Sequence, residues 1–316
     1  MQNFSYLDKL IHSGEKTVVL TSDIILDENE VSEYLEGINL DVNDLIIDGC
    51  GHTIDAGAKA RIFYNTSKIT IKNVVFKNAV CAIHNFGGVL NVSDSKFCDN
   101  TAKVAGAAIY NNWAELNVND CIFYQNASEC HGGAIFNVNG EVNISGSKLL
   151  HNTSKNDGGA IYNGAKLNIA NSVLSKNAAC GSGGAIYDNR GDISIDKSEL
   201  SNNSSKGIFG GGAIHKNRGT LNIDDSRLLD NAADNDGGAI FSIDGELAIT
   251  KSIFSNNASQ SNGGAIYDWG TLNIENSKLL ENAADNKGGA VYTKNRDDLK
   301  MEDCSLKDNV PEDIDF

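Results

Sequence analysis

Proline is all but missing here: the only one among 316 residues is Pro311, close to the C-terminus. Such exclusion suits a chain whose segments nearly all donate backbone N–H groups to neighbours, because proline has none to give. Cationic residues are also scarce, 26 Lys and Arg against 42 Asp and Glu, for a formal net charge of −16. Nucleic acid is therefore not an expected partner, since phosphate binding needs clustered cations. No apolar run approaches the roughly 18 residues of a membrane span, so no membrane insertion is expected. The opening MQNFSYLDKLIHSG has neither a basic n-region nor a long apolar h-region, and no export signal or anchor is read in this chain. The seven cysteines (Cys50, Cys81, Cys98, Cys121, Cys130, Cys180, Cys304) show no CxxC or Cys/His ligand spacing. They read as reduced packing residues, with one disulfide among Cys98, Cys121 and Cys130 as the alternative in an oxidising compartment.

What the sequence has in abundance is repetition. GGAIY or a close variant returns with its alanine at Ala82, Ala108, Ala134, Ala160, Ala185, Ala213, Ala239, Ala265 and Ala290, at intervals of 26, 26, 26, 25, 28, 26, 26 and 25 residues. In the same phase an aromatic residue or leucine precedes an asparagine by three positions, from Phe97/Asn100 through Leu174/Asn177 to Leu306/Asn309. A third motif lies between them, as in Leu116-Asn117-Val118 and Leu167-Asn168-Ile169. Alternation within each segment assigns the faces, since successive strand residues point to opposite sides. The column Ile109, Ile135, Ile161, Ile186 faces inward, and Tyr110, Phe136, Tyr162, Tyr187, His215 face outward. The asparagine that follows Phe or Leu begins a turn, where its amide can bond a neighbouring backbone or the same asparagine one coil on. The glycine pair before each alanine marks a sharp corner.

Helices do not fit segments this short, cut by Gly, Asn and Asp at nearly every corner, and a propeller blade needs a longer period. The fold class predicted is all-β: a single-stranded right-handed parallel β-helix, a three-sided solenoid of about 26 residues per coil, with a short N-terminal capping helix. Residues 1–44 are expected to hold that helix and irregular first strands, residues 45–310 the repeats, and residues 311–316 an acidic tail, all as one continuous domain. Ser5 with Asp8 resembles a helix N-cap, Tyr6, Leu7, Leu10 and Ile11 one apolar face, and Gly14 the residue after its end. Early strands are expected at Thr17–Leu20, Ile24–Leu26, Leu45–Ile47 and Ile69–Ile71, with Val31–Leu40 as a loop or lateral insertion. The tail either defends the last edge by charge or folds Ile314 and Phe316 over it; otherwise that edge offers an end-to-end contact.

GGAIYN with Phe-x-x-Asn, together with the segment from Leu45 to Asp55 (LIIDGCGHTID), resembles the adhesin-like β-helix repeat proteins of methanogenic archaea. The first two motifs are also similar to the repeats of chlamydial polymorphic outer-membrane proteins. The resemblance covers about residues 1 to 310 and implies a cell-surface location with roles in attachment or envelope structure. Parallel β-helices also include pectate-lyase-like polysaccharide lyases and glycoside hydrolases, so a catalytic site is sought among residues that break the repeat.

The clearest break is the 28-residue coil, where Lys206–Gly210 enlarges a corner and Asp188, Arg190, Lys216 and Arg218 take equivalent places in adjacent coils. A carboxylate beside Lys and Arg could bind an acidic sugar and abstract a proton. Read structurally, Asp188 and Lys216 form a solvated cross-coil ion pair worth about 0 to 1 kcal/mol. Asp157, Asp234 and Asp236 recur before the glycine pair and could gather Ca²⁺ with backbone carbonyls, although their spacing gives no complete oxygen cage. No other cofactor is implied. His131, His151 and His215 lie in different turns and read as surface residues, and His52 as a local hydrogen-bonding group. Trp113 and Trp269 at corners offer indoles to a sugar ring but stand six coils apart. Asn-x-Ser/Thr triplets at Asn65, Asn91, Asn126, Asn143, Asn152, Asn202 and Asn257 could be glycosylated in an exported chain, and otherwise are those that chance produces in so Asn-rich a sequence. The leading expectation is a non-enzymatic, adhesin-like or structural surface protein presenting Asn, Tyr and Ser ladders to a carbohydrate or protein partner. A carbohydrate-active enzyme is the alternative.

Overall fold

A computed structural model describes residues 2–294 and 296–316. The repeating motifs become short strands that pair in parallel with the same motif one coil away, in about 11 turns of solenoid. Ile135 lies opposite Ile161 and Asn137 opposite Asn163, so equal phase in sequence is vertical stacking in space. Each regular coil carries four strands where three segments are evident in the sequence. In one coil these are Ile109–Asn112, Glu115–Asn119, Ile122–Tyr124 and the two-residue Ala127–Ser128. The first two belong to one large sheet, the third to a second and the short fourth to a third.

The interior is a stack of like side chains. Ile109, Ile135, Ile161 and Ile186 are fully buried, as are Leu116, Val142, Leu167 and the Phe76, Phe97, Phe123 column. Phe76 and Phe97 stack with ring centroids 4.6 Å apart, and Phe97 and Phe123 at 4.8 Å. The two corner glycines do different work. Gly158 has φ +67°, a left-handed conformation costly to residues with a Cβ, whereas a Cβ on Gly159 would stand 2.1 Å from the Gly184 carbonyl oxygen of the next coil. Close backbone stacking, not only turn geometry, therefore requires the second glycine.

At the N-terminus α1 (Phe4–Ile11) closes the core, but its cap and face differ from expectation. Asn3 is the N-cap, its Oδ1 accepting from the Tyr6 N–H at 3.1 Å, and Phe4, Leu7 and Ile11 are the buried residues. This i, i+3, i+7 spacing leaves Tyr6 exposed and uses Asp8 to accept from the Tyr34 hydroxyl at 3.0 Å. The stretch 31–40 is not wholly a loop: Ile38–Leu40 is a strand in register with Phe63–Asn65. Parallel pairing is present from Thr17–Val19, which lies beside Ile46–Asp48. In the tail, Ile314 and Asp315 pair with Val291 and Tyr292. All seven cysteines are free thiols, and burial pushes the Cys121 thiol up to about 12.

Candidate functional site

Four polar columns run along the solenoid, and their chemistry decides what the surface can do. The first is the asparagine after Phe or Leu. Asn177 is fully buried; its Oδ1 accepts from the backbone N–H and the amide of Asn152, both at 3.0 Å, and its own amide donates to Leu149 O at 2.9 Å and Asn203 Oδ1 at 3.0 Å. The pattern continues to Asn309. Four hydrogen bonds per residue satisfy corner carbonyls that water cannot reach. The second column, unrecognised in the sequence, is serine. Ser172 Oγ accepts from the Ser147 N–H at 3.1 Å and donates to Ala170 O at 2.7 Å. Its signal was a serine two residues ahead of most of the inward Phe and Leu residues, as at Ser147, Ser172 and Ser198.

The third column is the asparagine of GGAIYN. Asn85, Asn111, Asn137 and Asn163 are fully buried, each amide donating to the next Oδ1 at 2.7 to 2.9 Å. Here Asp188 and Lys216 enter, in register with one another and with Asn163. They are not a solvated pair: both are fully buried. Asp188 Oδ1 accepts from Asn163 at 2.6 Å, and its Oδ2 accepts from Lys216 Nζ at 2.5 Å and from the Gly191 N–H at 3.0 Å. Lys216 also donates to the Gly191 carbonyl. Burial pushes the Asp188 carboxyl above the usual range, and the Lys216 charge draws it back. The inward side of the strand end, unrecognised in the sequence, explains the difference: the position is two residues from an inward isoleucine and shares its face. Arg190 and Arg218 stand at the exposed corners that follow, at φ +68° and +61°, and Arg218 Nε approaches Asp244 at 3.8 Å. The sequence-proposed quartet is thus divided, a buried Asp–Lys pair inside and two arginines outside.

The fourth column is outward. Asn91, Asn117, Asn143 and Asn168 are half-buried on the second strand, and each of the last three donates to the preceding Oδ1 at 2.7 to 3.0 Å. They line a shallow groove of about 420 Å³ that continues past Ser194 and Asp196. Trp113, 66% exposed, stands at the corner just ahead of Glu115–Asn119.

The aromatic column after the inward isoleucines is a continuous stack. Tyr162 and Tyr187 are 5.3 Å apart, Tyr187 and His215 4.6 Å, and His215 and Phe241 5.0 Å. His215 is not a surface residue. The enlarged corner lays Phe209 over His215 and Phe241 at 6.2 Å, leaving His215 3% exposed, and burial lowers its pKa to about 4. His52 bonds locally through its backbone N–H, to Gly49 O at 2.8 Å, while its ring meets Asp23 of the neighbouring coil at 3.3 Å. His151 is exposed against Tyr124.

The three candidate calcium ligands bond other groups. Asp157 Oδ1 accepts from the Ser182 N–H at 2.8 Å, and its Oδ2 lies 3.4 Å from His131. Burial opposes its charge, yet these partners hold its carboxyl below the ordinary value. Asp236 Oδ1 accepts twice from Asn262 at 2.9 Å, and Asp234 Oδ1 accepts from Gln260 at 3.3 Å. Among the described residues no cluster of three His, Cys, Asp or Glu could hold a metal ion. Among the described residues no helix is long and apolar enough to cross a membrane. Of the glycosylation triplets, Asn65, Asn126, Asn152 and Asn257 are fully buried within the ladders.

Residues 120–138 and 251–268 match the Chlamydia polymorphic membrane protein repeat, and both stretches run from a Phe-x-x-Asn into GGAI. No curated protein matches this chain. Among solved structures it is similar to the catalytic unit of a thermostable GH87 alpha-1,3-glucanase from Streptomyces thermodiastaticus, with a TM-score of 0.59 and 10% identity over 99% of this chain. The chain spans 66% of that protein's length. An L. reuteri SRRP is also matched, at 12% identity with a TM-score of 0.30, over 97% of this chain and 98% of that one. At such identities the likeness is one of fold: this chain is a parallel β-solenoid of the repeat type.

Proposed function

We propose that this protein is a non-catalytic, adhesin-like surface β-solenoid that binds a carbohydrate polymer along its outward asparagine column. The observation that carries the reading is the row Asn91, Asn117, Asn143 and Asn168 in an open groove. The oxygens of Asn91, Asn117 and Asn143 each accept once within the column and keep a lone pair for a sugar hydroxyl, and Asn143 also keeps a second N–H, whereas the amides of Asn91, Asn117 and Asn168 donate further to Ile69 O, Glu115 and Glu141. Repeating these acceptors over successive coils suits many weak contacts added along a polymer. Trp113, exposed at the corner ahead of that strand, adds an apolar face for a sugar ring. A lyase or hydrolase shares the fold but needs a reachable acid or base, and the Asp188–Lys216 pair lies fully buried.

The test is retention by immobilised polysaccharides, alpha-1,3-glucan and pectate included, with product release followed in the same samples. Asn117→Ala/Asn143→Ala is expected to weaken retention about tenfold, the equivalent of one or two lost hydrogen bonds, while unfolding at the wild-type temperature. Undiminished retention in that variant would reject the groove. New reducing ends or unsaturated uronates accumulating with time would reject the non-catalytic reading.

A further inference from the structure

The inward column that holds Asp188 and Lys216 continues through Ser242, Asp268 and Thr293 in register. Asp268 is fully buried and occupies the same place on its coil as Asp188, yet its surroundings differ. Asp188 takes an amide from Asn163 on one side and the Lys216 ammonium on the other, besides the Gly191 N–H. Asp268 keeps the equivalent backbone bond, Gly270 N–H to Oδ2 at 3.0 Å. Its Oδ1, however, is buried with no hydrogen-bond partner, and so is the hydroxyl of Ser242 one coil before it, itself fully buried. Serine stands where five earlier coils, from Asn65 to Asn163, place an asparagine, and it is too short to carry a donor to the next oxygen. The hydroxyl lies near enough to favour the ionised carboxylate but makes no bond within 3.5 Å. Burial meanwhile raises the Asp268 carboxyl to about 6, so at neutral pH it carries a charge that Lys216, already bound to Asp188, does not neutralise.

We propose that Ser242 Oγ and Asp268 Oδ1 form an internal site for one monovalent cation, sodium, potassium or ammonium, which takes at Asp268 the place that the Asn163 amide takes at Asp188. Three coils earlier the same column already holds one monovalent cation against a buried carboxylate, the Lys216 ammonium on Asp188 Oδ2 and the Gly191 carbonyl. A divalent ion is disfavoured, because one carboxylate neutralises only half of its charge in this buried place.

The test is thermal unfolding of the full chain at pH 8 and constant ionic strength in sodium, potassium, ammonium or choline chloride, choline being too large to enter. The wild type is expected to melt several degrees higher in at least one of the small cations than in choline. That difference is expected to vanish in Asp268→Asn and to shrink in Ser242→Asn, which restores the column's own amide donor. Crystals soaked in thallium(I) are expected to show an anomalous peak between the two side chains. Equal melting in all four salts, or a cation effect that persists in Asp268→Asn, overturns the proposal. If Asp268→Asn fails to fold, Ser242→Asn and the thallium peak decide alone.

Discussion

Asparagine carries more of this structure than any apolar residue, because it satisfies groups that apolar residues can only bury. Each buried ladder asparagine bonds a backbone N–H and a carbonyl of the preceding coil and the amides on either side of it, as Asn177 does. Asn177→Ala strands three buried groups at once, the Asn152 N–H, one Asn152 amide N–H and the Leu149 carbonyl, and is expected to destabilise the protein by about 3 kcal/mol or more, read from urea unfolding. The buried Asp188–Lys216 pair tests the same logic with charge. Lys216→Met leaves a carboxylate buried and is expected to cost about 3 to 5 kcal/mol. Asp188→Asn/Lys216→Asn instead continues the column of Asn163, and its stability is expected to equal or exceed the wild type's. A double variant as unstable as Lys216→Met would show that the charges, not the column, hold this coil.

Among the elements, the enlarged corner Lys206–Gly210 differs most from its neighbours. By covering the aromatic stack with Phe209 it keeps His215 neutral. A histidine whose folded pKa is lowered from 6.5 to about 4 adds stability that is complete above the higher value and lost as pH falls through the lower one. The loss is at most about 3 kcal/mol. Asp268, raised from 3.8 to about 6, acts with opposite sign, favouring the folded state as pH falls through that window. The comparison of wild type with His215→Phe removes the Asp268 contribution, since it is common to both. The variant, which carries the column's own Phe136 and Phe241 side chain, is expected to lose less stability between pH 6.5 and 4. Identical pH profiles would place His215 in solvent instead.

For the whole molecule, the repeating part was legible because one residue type occupies one place in every coil. Ile135 and Ile161 announce their stacking by phase alone, and the coil length follows from the glycine pairs. Less was legible where phase says nothing about facing. Asp188 and Lys216 sit in motif positions that an alternating strand turns inward, but their charge suggested solvent. His215 read as outward and is, yet a loop covers it, and no local pattern reports that a corner folds back over its own sheet. The serine column was hidden by its ordinariness, and the two-residue fourth strand by its lack of large apolar residues. The N-cap slipped by two positions because Asn3 and Ser5 are both good capping residues, and only packing of Phe4 selects between them.

The molecule so built is a rod of about 11 coils in which every coil contacts only its neighbours. Its central requirement is that like segments pair in parallel, one coil apart. Hydrogen-bond scalar couplings in a deuterated, isotope-labelled sample measure that pairing bond by bond. The account predicts a coupling from the Ile135 amide to the Ala160 carbonyl, across a bond of 2.9 Å, and the same from Ile161 to Ala185. Couplings from these amides to carbonyls within their own coil, or in an antiparallel register, would contradict it.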